Sequence, residues 1–129
     1  MGADRVKARA TTLYPFVPSG PKFEDSIAFF NAIGFETSWR HEGLAGLRFG
    51  EAYFQLQQID VPQWQENQMI TFEVTDLDDY WTTLDAMGLP ERFPGAKLRP
   101  PTDFPWGREM HLIDPGGVCW HVRQAADAT

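Results

Sequence analysis

The feature that most limits the fold of this chain is a duplication within residues 1–129. The segment Ala32-Ile33-Gly34-Phe35 returns 54 residues later as Ala86-Met87-Gly88-Leu89. Phe54-Gln55-Leu56 returns 66 residues later as Trp120-His121-Val122. Both copies show the same order of patterns, which is a strand, an amphipathic helix that ends at glycine, and three more strands. We therefore predict a single domain built from two similar βαβββ modules.

Module one, at about residues 11–58, is predicted to start with a strand rich in β-branched and aromatic residues. Its helix is indicated by Phe23, Ile27 and Phe30 at helical spacing, and Gly34 can end it in the left-handed conformation. Three short strands follow, separated by turns that contain glycine. The predicted elements are a strand at 11–17, a helix at 22–33, and strands at 35–41, 44–49 and 52–58.

Module two, at about residues 68–124, repeats this order. Alternating polarity predicts a strand at 69–74, and Thr75 or Asp76 can cap the helix that follows. Gly88 ends that helix, as Gly34 ends the first. Two connections remain. The segment at 59–68 is polar, and the segment at 92–106 contains four prolines. The second segment is predicted to be either a long loop ordered by packing or a short edge strand with a loop.

The chain closes with a predicted hairpin around Asp114-Pro115-Gly116-Gly117. A type I turn with a bulge at Gly117 would place Asp114 opposite Val118 and His111 opposite His121. A two-residue turn would shift the register by one residue and pair His111 with Trp120 instead. We favour the bulged register because it separates an apolar face from a polar face.

Charge and cysteine content exclude several classes of function. The net charge of −7 and the isoelectric point near 4.8 argue against nucleic acid as a partner, although they are compatible with a cationic ligand. The single cysteine, Cys119, agrees with a reducing compartment. Residues 1–9 lack the apolar core of a signal peptide, and no run is long enough to span a membrane. We therefore expect a cytoplasmic protein that binds neither nucleic acid nor membrane.

Each helix would cover the apolar face of its own sheet, which leaves two polar faces rich in aromatic residues. The economical arrangement is two curved sheets around a shared cavity, with a lining typical of ligand sites. A second core or a dimer contact is the alternative use of these faces. The residues that we predict to line the cavity and bind a ligand are Tyr14, Trp39, Tyr53, Gln55, Met69, Glu73, Glu109, His111 and His121.

Three motifs occur in order along the chain, in the first helix, at the start of the second helix and in the closing hairpin. They are Ser26-Ile27-Ala28-Phe29-Phe30 with Ile33-Gly34-Phe35, then Val74-Thr75-Asp76-Leu77-Asp78, then Trp106-Gly107-Arg108-Glu109 running into Asp114-Pro115-Gly116-Gly117. With the duplication, they make the chain resemble the vicinal oxygen chelate superfamily, which includes glyoxalase I, bleomycin-resistance proteins, fosfomycin-resistance enzymes and extradiol dioxygenases. The resemblance implies an α+β fold with mixed sheets and a cavity completed in a homodimer.

The metal enzymes of this superfamily take ligands from the first and last strand of each module. Carried over by position, those ligands fall on Tyr14 or Thr12, Gln55, Met69 and His121. These side chains supply few of the nitrogen and oxygen ligands that a divalent cation prefers, so we expect no metal cofactor. A divalent metal held by His111 and His121, with Glu109 or Gln55 completing the site, is the less favoured alternative.

We therefore expect a small-molecule binding protein that resembles the bleomycin-resistance proteins. It would sequester an aromatic or cationic ligand without metal and without a covalent step. Two alternatives stay open. One is an enzyme, either a metal-dependent lyase, isomerase or dioxygenase or a metal-free catalyst using His and Glu as acid and base. The other is a structural or partner-binding module with a filled cavity.

Overall fold

Two four-stranded mixed sheets, one from each half of the chain, form the framework in a computed structural model that describes residues 5–126. The first sheet has the strand order β1-β4-β3-β2, and the second has the order β5-β8-β7-β6. In each sheet the first strand of the module runs parallel to the last, and the other neighbours are antiparallel. The predicted α+β fold of two βαβββ modules is confirmed. No helix of the described part has the length and apolarity that a membrane crossing requires.

The helices and strands follow each other in the order that the duplication predicts, with two short helices added. Module one contains β1 (Phe16–Pro18), α1 (Phe23–Ala32), β2 (Glu36–His41), β3 (Leu44–Phe49) and β4 (Ala52–Gln57). After α2 (Pro62–Asn67), module two contains β5 (Met69–Val74), α3 (Leu77–Asp85), α4 (Leu89–Arg92), β6 (Lys97–Phe104), β7 (Gly107–Ile113) and β8 (Cys119–Gln124).

One aromatic core joins the two modules. The ring of Phe30, on α1, lies 4.9 Å from that of Phe54 on β4 and 5.3 Å from that of Trp120 on β8. Phe35 and Phe72 make a further contact between modules, with their ring centroids 5.4 Å apart. These pairs pack edge to face, the arrangement that the charge distribution of aromatic rings favours. The apolar faces of both sheets are used in this core, which leaves the polar faces for other contacts.

The first strand is shorter than the sequence predicts. Residues 11–15 lie outside it, and β1 covers only Phe16–Pro18 beside β4. Pro15 and Pro18 have no N–H to donate, which limits regular pairing at both ends. The carbonyl of Pro15 still accepts a hydrogen bond from the N–H of Gln55, at 3.0 Å. Leu13 and Tyr14 consequently lie beside the sheet edge, outside any strand.

Two segments predicted to be connections contain regular structure. The segment at 59–68 holds α2, in which Gln65 is buried and donates to the carbonyl of Gly116 at 2.7 Å. Gly116 is 51 residues away from Gln65 in the sequence. The local pattern of polar and apolar residues therefore gave no sign of the contact that holds this helix. In the segment at 92–106, the edge-strand alternative is confirmed by β6, whose register shifts between Arg99 and Thr102, at Pro100 and Pro101.

The closing hairpin has the bulged register that we favour from the sequence. His111 pairs with His121 and Leu112 with Trp120, while the N–H of Asp114 bonds the carbonyl of Val118 at 3.0 Å. The reason for this register is the buried carboxylate of Asp114, with one oxygen accepting three backbone N–H groups of the turn at 2.9 to 3.0 Å. Its other oxygen accepts from the indole of Trp120 at 2.8 Å.

We expect Asp114→Ala to lower the free energy of unfolding by about 3 kcal/mol, since four N–H donors lose their acceptor and each buried unpaired donor costs about 1–3 kcal/mol. Asp114→Asn should lose less, because its amide oxygen can still accept from the turn. Urea unfolding of both variants checks this. Asp85→Ala, at an exposed carboxylate, is the control and should change stability by at most about 0.5 kcal/mol. An Asp114→Ala loss as small as that of the control would contradict the assignment.

Candidate functional site

The predicted site residues lie mainly in two clusters, one on the polar face of each module. The aromatic cluster consists of Tyr14, Trp39 and Tyr53 in module one. The carboxylate–imidazole cluster consists of Glu109, His111 and His121 in module two. The two clusters have different chemistry. Except for Tyr14, which precedes β1, their residues lie on the strands of their own sheet.

In the aromatic cluster, three rings hold one another by directional contacts. The indole N–H of Trp39 donates to the hydroxyl oxygen of Tyr53 at 2.8 Å. The rings of Tyr14 and Tyr53 meet edge to face at 4.9 Å, and the guanidinium of Arg48 lies 4.7 Å from the centre of the Tyr53 ring. Tyr14 and Trp39 are 44% and 37% exposed, so this ordered surface faces solvent. Ordered, partly exposed rings can stack on a planar ligand.

Trp39 reaches this position because β2 is irregular and because its neighbour is glycine. The register between β2 and β3 shifts between Thr37 and Trp39, which pairs Trp39 with Gly46. A Cβ atom on Gly46 would lie 2.1 Å from the indole nitrogen of Trp39, so only glycine leaves space for the ring. Neither feature gives a periodic sequence signal, and sequence reasoning missed the role of Gly46.

A cavity of about 540 Å³ lies between the modules, next to the aromatic cluster. Both modules contribute to it, through the start of β4 and the segment before β1 on one side and through β5 on the other. Of the nine predicted site residues, it contains Tyr14, Tyr53 and Met69. The lining is mostly apolar, with a carboxylate at Glu51. The side chains that line it include Leu13, Pro15, Ala52, Ile70, Thr71 and Phe72.

In the carboxylate–imidazole cluster, one carboxylate oxygen lies between two imidazoles. Glu109 Oε2 is 2.7 Å from His111 Nε2 and 2.8 Å from His121 Nδ1. The side chain of Glu109 is 1% exposed, whereas those of His111 and His121 are 23% and 26% exposed. The two imidazole rings are themselves 4.4 Å apart. A buried anion is thus accessible to solvent only through its imidazole partners.

The other oxygen of Glu109 is held by two donors, Trp106 and Arg123, that were not among the nine predicted site residues. Glu109 Oε1 accepts from the indole of Trp106 at 2.8 Å and from the guanidinium of Arg123 at 3.2 Å. Trp106 comes three residues before Glu109, in the turn between β6 and β7, and its ring stacks on Phe104 at 4.9 Å. Arg123 pairs with Glu109 across β7 and β8, as the favoured register predicts.

Burial would raise the pKa of Glu109, but the hydrogen bonds from His121, His111, Trp106 and Arg123 outweigh it and hold the pKa at about 2. The carboxylate is therefore charged at neutral pH and acts only as an acceptor. It follows that both facing imidazole nitrogens carry the proton of the hydrogen bond. Charge-assisted bonds of this kind are among the stronger ones in proteins.

The remaining predicted residues lie outside both clusters. Gln55 is half-buried on β4, where it pairs with Gly46 across from the Trp39 ring. Glu73 is exposed on β5 and lines a separate cavity of about 340 Å³ together with Glu51. The cavity between the modules therefore gathers only part of the predicted set, because the polar faces of the two sheets do not meet within the described chain.

The positions that the resemblance predicts as metal ligands are not gathered in one cavity of the described chain. Tyr14 and Met69 line the cavity, while Gln55 and His121 do not. Among residues 5–126, the group of at least three His, Cys, Asp or Glu side chains with ligand atoms within 4.8 Å of one another is Glu109, His111 and His121. Among the described residues, the group of this kind thus lies on one hairpin of module two.

Solved structures with this fold include bleomycin-binding proteins and proteins of bleomycin and fosfomycin resistance. A bleomycin resistance determinant encoded on transposon Tn5 has a TM-score of 0.79 at 21% identity, over 92% of this chain and 100% of that chain. The bleomycin-binding protein of Streptomyces verticillus, in complex with copper(II)-bleomycin, has a TM-score of 0.75 at 21% identity, over 92% and 99%.

The fosfomycin resistance protein FosX of Listeria monocytogenes, with Mn(II) and sulfate, has a TM-score of 0.69 at 13% identity, over 92% of this chain and 93% of that chain. No protein-family model matches the sequence, and no curated protein does. At these identities the comparisons show the fold, which is the one expected from the resemblance to the vicinal oxygen chelate superfamily.

We expect Gly46→Ala to displace Trp39, because the new methyl group would occupy the place of the indole nitrogen. The indole N–H signal of Trp39 in a two-dimensional NMR spectrum should then shift as its hydrogen bond to Tyr53 is lost. Trp39→Phe assigns that signal by removing it, and the other four indole signals serve as internal controls. An unchanged Trp39 signal in Gly46→Ala would show that the ring is not held in this way.

Proposed function

We propose that this protein binds an aromatic or cationic small molecule in the cavity between its modules and sequesters it without chemical change. The observation that carries the proposal is the aromatic cluster, which borders a cavity of about 540 Å³. This volume lies within the range of about 300–1,000 Å³ that small-molecule sites occupy. The ligand would stack on Tyr14 and Tyr53 and pack against Met69.

Charge supports a ligand that is planar or positively charged. The chain has a net charge of −7, and Glu51 lines the cavity. Aromatic faces attract cations, so tyrosine rings and a carboxylate favour the same class of ligand. The cavity lining includes no histidine and no cysteine among its described residues. We therefore propose that binding in this cavity needs no metal.

The solved structures support this proposal more than the enzymatic alternative. Two of the similar proteins bind bleomycin or confer resistance to it. FosX, with Mn(II), keeps the metal-dependent alternative open. A metal-free acid–base enzyme is favoured by one observation, the buried Glu109 beside two imidazoles, since paired titratable groups can transfer protons.

We also propose that the protein is a homodimer, and that a second copy covers the exposed apolar side chains near the cavity. Monomeric proteins rarely expose a contiguous apolar surface of this kind. Leu13 is 94% exposed and Met69 69%, although both line the cavity. Phe16, on the adjacent β1, is also exposed. Absence of nucleic-acid and membrane partners and a cytoplasmic location stay predictions.

The ligand proposal predicts that planar or cationic compounds stabilise the folded protein even when a chelator has removed metal ions. We expect metal-free bleomycin, or a planar or cationic compound from a thermal-shift panel, to raise the melting temperature. At a ligand concentration of 100 times Kd, mass action adds about 2.7 kcal/mol to the free energy of unfolding. Tyr53→Ala should weaken that binding at least about tenfold, since it removes the central ring of the aromatic cluster.

His41→Ala is the control for Tyr53→Ala, because His41 is exposed on β2 and outside the cavity lining. Its affinity for the same compound should equal that of the unmodified protein. Stabilisation seen only after metal is added would favour the metal-dependent alternative. No stabilisation by any member of the panel would favour a structural module.

The dimer proposal predicts a mass of twice the 14.7 kDa of one chain in light scattering after size-exclusion chromatography. Met69→Glu should convert the protein to a monomer, since it would place a charge in the covered surface. Trp64→Glu is the matched control, because Trp64 is 59% exposed on α2 and lies outside the cavity. A monomer in the unmodified protein, or an unchanged dimer in Met69→Glu, contradicts this arrangement.

A further inference from the structure

Three side chains of the closing hairpin direct one ligand atom each toward a common point. They are Glu109 and His111 on β7 and His121 on β8, with all three ligand atoms within 4.8 Å of one another. We propose that this hairpin is a binding site for a divalent transition-metal ion of the zinc type. The proposed ligands are Glu109 Oε2, His111 Nε2 and His121 Nδ1.

The donor set fits the ion. Two imidazole nitrogens and one carboxylate oxygen are a set that zinc accepts in proteins, whereas calcium and magnesium prefer oxygen ligands alone. In a tetrahedral site with bonds of about 2.1 Å, neighbouring ligand atoms are about 3.4 Å apart. The present separations of 2.7 and 2.8 Å are those of N–H···O hydrogen bonds. To bind the ion, each imidazole would carry its proton on the other ring nitrogen, and the ligand atoms would move about 0.6–0.7 Å further apart.

The surroundings of Glu109 hold it in the orientation that the ion needs. The indole of Trp106 and the guanidinium of Arg123 both bond Oε1, which leaves Oε2 for the imidazoles or the metal. Groups that bond the far side of a ligand in this way fix its direction and tune its affinity.

The site is also accessible. His111 and His121 are 23% and 26% exposed on their side chains, so an ion can enter without opening the core. Three protein ligands leave a fourth position for water or for a small molecule, the arrangement of catalytic rather than structural zinc sites. From the sequence we expected no metal cofactor, because the positions carried over from the resemblance supply few nitrogen and oxygen ligands. A metal held by His111 and His121 was the less favoured alternative, and it is the one developed here.

The inference is independent of ligand binding in the cavity between the modules. None of the three metal ligands lines that cavity, and none of the residues in the aromatic cluster belongs to the hairpin. The set also differs from the positions inferred from the resemblance, since only His121 is common to both. Failure of either proposal leaves the other standing.

The test measures metal content and affinity, without any assay of activity. Protein without an affinity tag is stripped with chelator, mixed with Zn²⁺ and freed of excess ion. We expect one zinc per chain by elemental analysis, and with Co²⁺ the visible absorption of a tetrahedral site. His111→Ala and His121→Ala should each weaken zinc binding at least tenfold in calorimetric titration. Glu109→Gln should do the same, with circular dichroism confirming that each variant is folded.

His41→Ala is the matched control, since it also removes one of the three histidines but lies beside Glu42 on the surface. It should bind zinc like the unmodified protein, as should Tyr53→Ala. Cys119→Ser should also retain the ion, because Cys119 is not among the ligands. No zinc in the unmodified protein overturns the proposal. Undiminished binding in both hairpin histidine variants, or loss of binding in Cys119→Ser, overturns it as well.

Discussion

The buried carboxylate of Asp114 determines the geometry on which the candidate metal site depends. Its four hydrogen bonds hold the turn in a three-residue form and tie that turn to Trp120 in the core. A hairpin with one residue fewer in its turn would shift every pair in β8, and His111 would then face a core position. The pairing of His111 with His121 is therefore a consequence of turn chemistry several residues away.

The same turn is also fastened to module one. A Cβ atom on Gly116 would lie 2.6 Å from the carbonyl oxygen of Ser19, so glycine is needed where the two backbones approach. Gln65, on α2 between the modules, donates to the carbonyl of Gly116. The contacts of the turn and of Trp120 fix the register of the hairpin. The charged side chain of Glu109 can therefore be buried on its polar face without shifting the strand pairing. A buried carboxylate such as Glu109 is costly unless fully paired, and here four side chains pair it.

Sequence reasoning was accurate where the controlling interactions are local. Alternation and turn chemistry predict the hairpin register, and the spacing of Phe23, Ile27 and Phe30 predicts α1. It was wrong about the length of the first strand, where prolines at both ends limit pairing. It was silent where a distant segment decides, since α2 forms around a buried glutamine whose partner lies in module two. Glu109 was correctly placed on the polar face, but its position between two imidazoles depends on rotamers that Trp106 and Arg123 select.

The duplication explains why one fold carries two kinds of chemistry. Gln55 and His121 occupy equivalent positions on the last strands, and their cross-strand partners are Gly46 and His111. In module one the missing side chain at Gly46 is replaced by the ring of Trp39, which builds a stacking surface. In module two the imidazole at His111 fills that place and meets the carboxylate of Glu109. The shared aromatic core constrains the inner faces of both sheets, whereas the outer faces are free to diverge because their side chains do not pack into it.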